Sequence, residues 1–258
     1  AIMKPWVLTI LLVTVSIAAA NDARKSTPPK NATTTAVKPT NGTTSAKTTP
    51  HTTAKPVETG PKVNVSNGMI EGFYLNAKTI SAFQGIPYAK PPIKENRFKA
   101  PMEPEKLNGT FMARKFGKAC MQPKDDLLEE PDMGEDCLTL NVYTASVAPK
   151  TPLPVMVYIH GGGYEKGSSR GYSGADTVAA YTGQGVVIVT INYRLGVFGF
   201  LAVNKTELPG NLGLWDQIQA LKWVQKEIKS FGGVPGKVTI FGESAGGASV
   251  SLVTYSHM

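Results

Sequence analysis

Three nearly unbroken apolar runs constrain the fold of this chain most strongly: residues 154–160, 185–192 and 238–241. Runs of this kind fit strands that are buried on both faces, as in a sheet covered by helices. Residues 175–182 are compatible with a short helix, and apolar residues recur at helical spacing before the third run: Leu214, Ile218, Leu221, Val224 and Ile228. This alternation of strands and helices predicts an α/β domain with a mostly parallel central sheet and helices on both faces.

The third apolar run leads directly into Gly242-Glu243-Ser244-Ala245-Gly246, after which a helix-compatible segment begins. A Gly-x-Ser-x-Gly motif between a strand and a helix is the nucleophile elbow of α/β-hydrolases, where a strained turn exposes the serine hydroxyl. The two glycines leave room where a Cβ atom would clash with a neighbouring strand or helix. The same residues would also fit a plain glycine-rich turn, because they are common types. Ser244 is therefore a candidate nucleophile.

A second motif, His160-Gly161-Gly162-Gly163-Tyr164, follows the first apolar run. Its glycines expose backbone N–H groups without side-chain cover, and acyl transfer needs such donors for the oxygen that becomes negative. The N–H of the residue after the nucleophile, here Ala245, completes this oxyanion hole in α/β-hydrolases. A flexible turn is the alternative. Because both motifs follow buried strands in the expected order, we favour the catalytic interpretation.

The N-terminal region differs in composition from the rest. Lys4, an apolar segment at residues 6–17 and three alanines ending at Ala20 predict a signal peptide at residues 1–20, while an uncleaved membrane anchor is the alternative. Residues 21–62 are rich in Thr and Pro and lack aromatic residues, which predicts a disordered, O-glycosylated stalk or a plain linker. We therefore expect a secreted protein with no transmembrane segment beyond the signal peptide. Five Asn-x-Ser/Thr acceptors agree with that route: Asn31, Asn41, Asn64, Asn108 and Asn204.

The net charge of +8 belongs mostly to this region. Eight basic and two acidic residues give residues 1–62 a charge of +6, so residues 63–258 hold only +2 of the total of +8. A nearly neutral domain argues against nucleic acid as a partner. In an exported protein, Cys120 and Cys137 are expected to form a disulfide, although two reduced cysteines remain the alternative.

Two long segments make the chain resemble the type-B carboxylesterase/cholinesterase family. Residues 231–246, with Ser244, look like its serine signature, and residues 135–142 resemble its second signature, although Ala145 stands where Pro, Gln or Arg is usual. The resemblance covers roughly residues 63–258 and implies an α/β-hydrolase fold and hydrolysis of small carboxylic esters through an acyl-enzyme on Ser244, with oxyanion donors from Gly162, Gly163 and Ala245. It also implies a Cys120–Cys137 bridge. Two buried structural ion pairs are implied as well, Arg97–Glu135 and Arg194–Asp216. We expect no cofactor and no metal ion.

The histidine base and the acid that a serine nucleophile needs are not evident. His160 abuts the glycine run and is expected to be structural, and His257 would lie about 20 Å along a continuous helix from Ser244. In the family these two residues come much later, so we interpret residues 63–258 as the N-terminal part of a catalytic domain. A cholinesterase is one alternative function, but the loop between the cysteines lacks the tryptophan on which that subfamily stacks choline. The other is a catalytically inactive, neuroligin-like adhesion protein.

Overall fold

The architecture is that of a computed structural model, which describes residues 59–124, 132–203 and 208–255. The predicted signal peptide, the stalk as far as residue 58, and Asn31, Asn41, Asn204 and His257 lie outside the described residues. Among the described residues, no helix is both long and apolar enough to cross a membrane.

Strands and helices follow one another along most of the described chain. The strands are β1 (Lys62–Val65), β2 (Gly68–Glu71), β3 (Phe73–Leu75), β4 (Ile80–Pro87), β5 (Thr110–Met112), β6 (Ala119–Cys120), β7 (Met133–Gly134), β8 (Thr139–Thr144), β9 (Leu153–Ile159), β10 (Val187–Ile191), β11 (Ala202–Val203), β12 (Leu208–Pro209) and β13 (Gly233–Gly242). The α-helices are α1 (Ala175–Thr182), α2 (Gly196–Phe200), α3 (Leu212–Glu227) and α4 (Ala245–Tyr255), and two 3-10 helices span Lys94–Asn96 and Ile228–Phe231.

A six-stranded sheet with the order β13-β9-β10-β8-β4-β3 forms the centre of the fold. Strands β13, β9 and β10 are parallel neighbours, while β8 is antiparallel to both β10 and β4. Four of the six strands, β13, β9, β10 and β4, therefore run in the same direction. This confirms the predicted α/β class with a mostly parallel central sheet.

Both faces of this sheet are apolar and both are covered. On β10, Val187, Val189 and Ile191 join the large core that includes Val224 of α3 and Val250 of α4. Ile188, which points to the opposite face, joins a smaller cluster with Val178 of α1. Since successive side chains of a strand alternate between faces, helices lie on both sides of the sheet, as the unbroken apolar runs predicted.

The N-terminal part of the described fold begins with a hairpin and then passes into the central sheet. The turn at Ser66-Asn67 joins β1 and β2 in an antiparallel hairpin, and β3 pairs with β4 of the central sheet. At Gly72 the chain passes from the first sheet to the central one, and a Cβ atom there would overlap the carbonyl oxygen of Ala82 in β4.

Residues 83–87 form part of a strand in spite of their Gly and Pro content. They belong to the eight-residue strand β4. Gly85, with a φ angle of +71°, lies where the pairing of β4 with β8 changes register between Phe83 and Ile86. The glycine thus accommodates a bulge in a continuous strand instead of ending it.

The predicted disulfide between Cys120 and Cys137 is present, with a Cα–Cα distance of 5.0 Å. Both cysteines are buried and belong to the large core. By the chain-entropy model, a cross-link that closes a loop of this length stabilises the fold by about 3 kcal/mol. The bridge joins the last residue of β6 to the segment just before β8.

Candidate active site

Ser244 lies at a sharp turn between β13, which ends at Gly242, and α4, which begins at Ala245. Its φ angle is +53°, a left-handed conformation that is uncommon for a residue with a side chain. The turn is closed by hydrogen bonds from the N–H of Gly246 to the carbonyl of Glu243 (2.8 Å) and from the N–H of Ala248 to that of Ser244 (3.1 Å). The Ser244 side chain is exposed. This is the strained, outward-facing geometry that the motif predicted.

The two glycines of the motif are required by close packing of backbone against backbone. A Cβ atom at Gly242 would lie 2.6 Å from both the carbonyl carbon of Gly246 and the carbonyl oxygen of Ile159. A Cβ atom at Gly246 would overlap that same oxygen, which belongs to the last residue of β9. The elbow is therefore pressed against the end of the adjacent strand.

The glycine run begins where β9 ends, beside the elbow. Strands β9 and β13 are parallel neighbours, with Ile159 paired to Gly242, so their carboxyl ends meet at one edge of the sheet. A Cβ atom at Gly161 would lie 3.1 Å from the Cβ atom of Ser244. The tertiary structure thus brings together two motifs that are separated by about eighty residues in the sequence.

Gly162 and Gly163 have φ angles of +100° and +65°, which only glycine adopts readily. Neither of their N–H groups is hydrogen-bonded to another described residue, and the N–H of Ala245 lies in the unpaired first turn of α4. All three candidate donors therefore remain available beside Ser244.

His160 is enclosed beneath this site. Its ring stacks on that of Tyr193 with 4.4 Å between centroids, and its Nδ1 lies 2.9 Å from the carbonyl oxygen of Gly161, to which it can donate. Tyr193 in turn donates its hydroxyl to the carbonyl oxygen of His160 at 2.7 Å. Burial lowers the pKa of His160 to about 4, so the ring is neutral at pH 7. These contacts agree with the structural role expected for this residue.

Ser244 Oγ makes no hydrogen bond to any described residue, so the described part of the chain shows no base in contact with this candidate nucleophile. The site as described consists of a serine and backbone donors. Such an arrangement can hold an ester carbonyl and stabilise its oxyanion, but the serine still needs a group that takes its proton.

The two predicted ion pairs are formed, but only one of them is buried. Arg194 binds both carboxylate oxygens of Asp216 at 2.7 Å, and the carboxylate also accepts the N–H of Arg194. Arg97 forms the same bidentate pair with Glu135, yet their side chains are 43% and 23% exposed. The expectation that this second pair is buried was wrong, because it lies at the rim of the loop between the cysteines.

Sequence reasoning missed a buried polar network that anchors the segment after the glycine run. Asn141 of β8 donates to the hydroxyls of Ser169 and Thr190 at 3.0 and 2.9 Å. Asn192 accepts the N–H of Ser169 at 2.8 Å and donates to the carbonyl of Cys137 at 3.2 Å. An asparagine inside or just after an apolar strand is the signal that could have revealed it, since a buried amide needs partners.

Comparison with known proteins agrees with this geometry. Residues 59–258 match the model of the carboxylesterase family, and the chain therefore belongs to that family. It is 48% identical to esterase cest-33 of Caenorhabditis elegans over 69% of this chain and 33% of that protein. It is 46% identical to para-nitrobenzyl esterase of Bacillus subtilis over 74% of this chain and 40% of that protein. It is also 43% identical to acetylcholinesterase-1 of Trittame loki, over 76% and 37%.

A solved structure of PNB esterase superposes with a TM-score of 0.67 at 43% identity, covering 74% of this chain and 40% of that one. The chain thus spans about a third of the length of the curated relatives it matches.

Proposed function

We propose that this chain is the nucleophile-bearing part of a serine hydrolase that cleaves carboxylic esters. The observation that supports this most is the position of an exposed, strained Ser244 against Gly161, with the N–H groups of Gly162, Gly163 and Ala245 free to bind an oxyanion. Membership of the carboxylesterase family supports the same reaction class.

In the proposed reaction, Ser244 Oγ attacks the ester carbonyl carbon while its proton passes to a base. The electron pair of the carbonyl double bond moves to its oxygen, and the three backbone N–H groups stabilise the resulting negative charge. When the tetrahedral intermediate collapses, the bond to the alcohol breaks and the alcohol leaves with the proton. Water then attacks the acyl-enzyme in the same way, which releases the carboxylic acid and restores the serine.

The base and its acid partner are proposed to come from a longer protein of which residues 63–258 form the N-terminal part of the catalytic domain. The short coverage of the relatives and the unpartnered Ser244 hydroxyl support this proposal.

The 258-residue chain alone is therefore expected not to turn over p-nitrophenyl esters, whereas the full-length protein should. Turnover is measured for both at equal concentrations of folded protein, with full-length Ser244→Ala as the blank. If the short chain shows saturable hydrolysis, and Ser244→Ala in that chain abolishes it, the interpretation that the chain lacks the base is wrong.

Export is a separate proposal, supported by the N-terminal sequence. Asn64 and Asn108 are both exposed, so each can accept an N-glycan, together with Asn31, Asn41 and Asn204. Peptide mapping of protein recovered from the medium of eukaryotic cells is expected to find a mature N-terminus after Ala20, glycans on these asparagines and a linked Cys120–Cys137 peptide. An intact N-terminus on cell-retained protein would contradict it.

Among esterases, a general carboxylesterase is favoured over a cholinesterase, because no tryptophan lies between Cys120 and Cys137 to bind a quaternary ammonium group. The intact Ser244 and glycine run likewise disfavour a non-catalytic adhesion role. Comparing turnover of acetylthiocholine with that of an uncharged thioester of the same acyl group separates the first two possibilities.

A further inference from the structure

The side chain of Gln122, in the loop between the cysteines, contacts the loop that follows the glycine run. This residue follows Cys120 by two positions, and the disulfide to Cys137 holds the preceding backbone in place. The covalent bridge therefore fixes the backbone from which the half-buried Gln122 side chain extends.

Both ends of the Gln122 amide bind the backbone of Gly167. The Nε2 group donates to the Gly167 carbonyl at 3.0 Å, and Oε1 accepts the Gly167 N–H at 2.8 Å. The second hydrogen of Nε2 is within reach of the Cys120 carbonyl, also at 3.0 Å. The side chain thus pairs with Gly167 as a neighbouring strand would, and fixes the position and the orientation of that residue.

Gly167 packs against His160 and Gly161, the first two residues of the glycine motif. Its φ angle is +109°, and a Cβ atom there would lie 2.6 Å from Nδ1 of His160 and 2.8 Å from the carbonyl oxygen of Gly161. The preceding residue, Lys166, donates its N–H to the carbonyl of Gly162 at 3.0 Å. A shift of Gly167 would therefore move the peptide groups on either side of Gly162, whose orientation sets the direction of the donor N–H groups.

We propose that Gln122 is a positioning residue for the oxyanion hole: its amide, anchored by the disulfide, holds Gly167 and thereby aims the N–H groups of Gly162 and Gly163 at the substrate oxygen. This inference rests on the proposed esterase function. Oxyanion stabilisation depends on donors already fixed in place, so loosening them slows the chemical step more than it weakens substrate binding.

The test uses full-length protein with Gln122→Met, which keeps the length of the side chain and removes its hydrogen bonds. Rates are expressed per active site titrated with an organophosphate, so that loss of folded protein does not count. We expect kcat for p-nitrophenyl acetate to fall about tenfold, because loosening a donor costs less than the ~10²–10³ lost when one is removed. KM should stay within about twofold, and organophosphate labelling of Ser244 should slow in parallel with kcat.

Gln122→Glu keeps an acceptor for the Gly167 N–H but places a carboxylate oxygen against the carbonyl oxygens of Gly167 and Cys120, so it should not restore the rate. The control is Gln225→Ala, which removes a half-buried glutamine on α3 and should leave kcat unchanged. If the per-site kcat of Gln122→Met stays within about twofold of wild type, Gln122 has only a structural role and the inference is wrong. Absence of labelling in the wild-type protein itself would instead overturn the proposed function, and this inference with it.

Discussion

Ser244→Ala in the full-length protein is expected to lower kcat for ester hydrolysis by about a millionfold, the loss found when a triad serine is removed. The variant should also resist labelling by an organophosphate, which reacts at an activated serine. Residual turnover is expected to remain above the uncatalysed rate, since the oxyanion donors Gly162, Gly163 and Ala245 are backbone groups that the substitution leaves in place. Intact mass spectrometry after inhibitor treatment measures the adduct, and peptide mapping locates it.

The matched control is Ser251→Ala, which removes the hydroxyl of a half-buried serine two turns along α4. This variant should label and turn over as the wild type does. A wild-type protein without an adduct on Ser244, under conditions that fully label a control esterase, would reject the enzyme assignment and favour the adhesion alternative.

Gly246→Ala is expected to have the largest effect on folding, with a loss of about 3 kcal/mol in the free energy of unfolding, at the upper end for overpacking. The new methyl group would overlap the carbonyl oxygen of Ile159, which is held at the end of β9 by pairing with β13 and β10. To relieve this overlap, α4 would have to shift away from β9 and β13, and the elbow would move with it. Urea unfolding of the full-length protein measures the loss.

Gly247→Ala, one position along the same helix, provides the comparison. The nearest atom to its added Cβ is the carbonyl oxygen of Gly242 at 3.3 Å, a tight but tolerable distance. Alanine is also favoured over glycine within a helix by about 1 kcal/mol. We expect this variant to change stability by less than about 1 kcal/mol in either direction. Equal destabilisation by both substitutions would show that helix packing in general, and not the contact with Ile159, limits this position.

The amino-acid sequence alone determined the class of the fold and pointed to Ser244 as the candidate nucleophile. Unbroken apolar runs such as residues 185–192 indicate strands covered on both faces, because the run is short and rich in β-branched residues. The elbow could be recognised from Gly242 to Gly246 because its requirements are local: a strained turn, and no side chain where the backbone of a neighbouring strand passes.

Only the tertiary structure decided which distant segments meet. The pairing of β9 with β13 places the glycine run beside Ser244, and no local signal states that these two strands are neighbours. The same holds for Gln122, whose partner Gly167 lies 45 residues away. Such contacts depend on how the whole sheet is ordered, and therefore on long-range packing that a residue and its near neighbours do not encode.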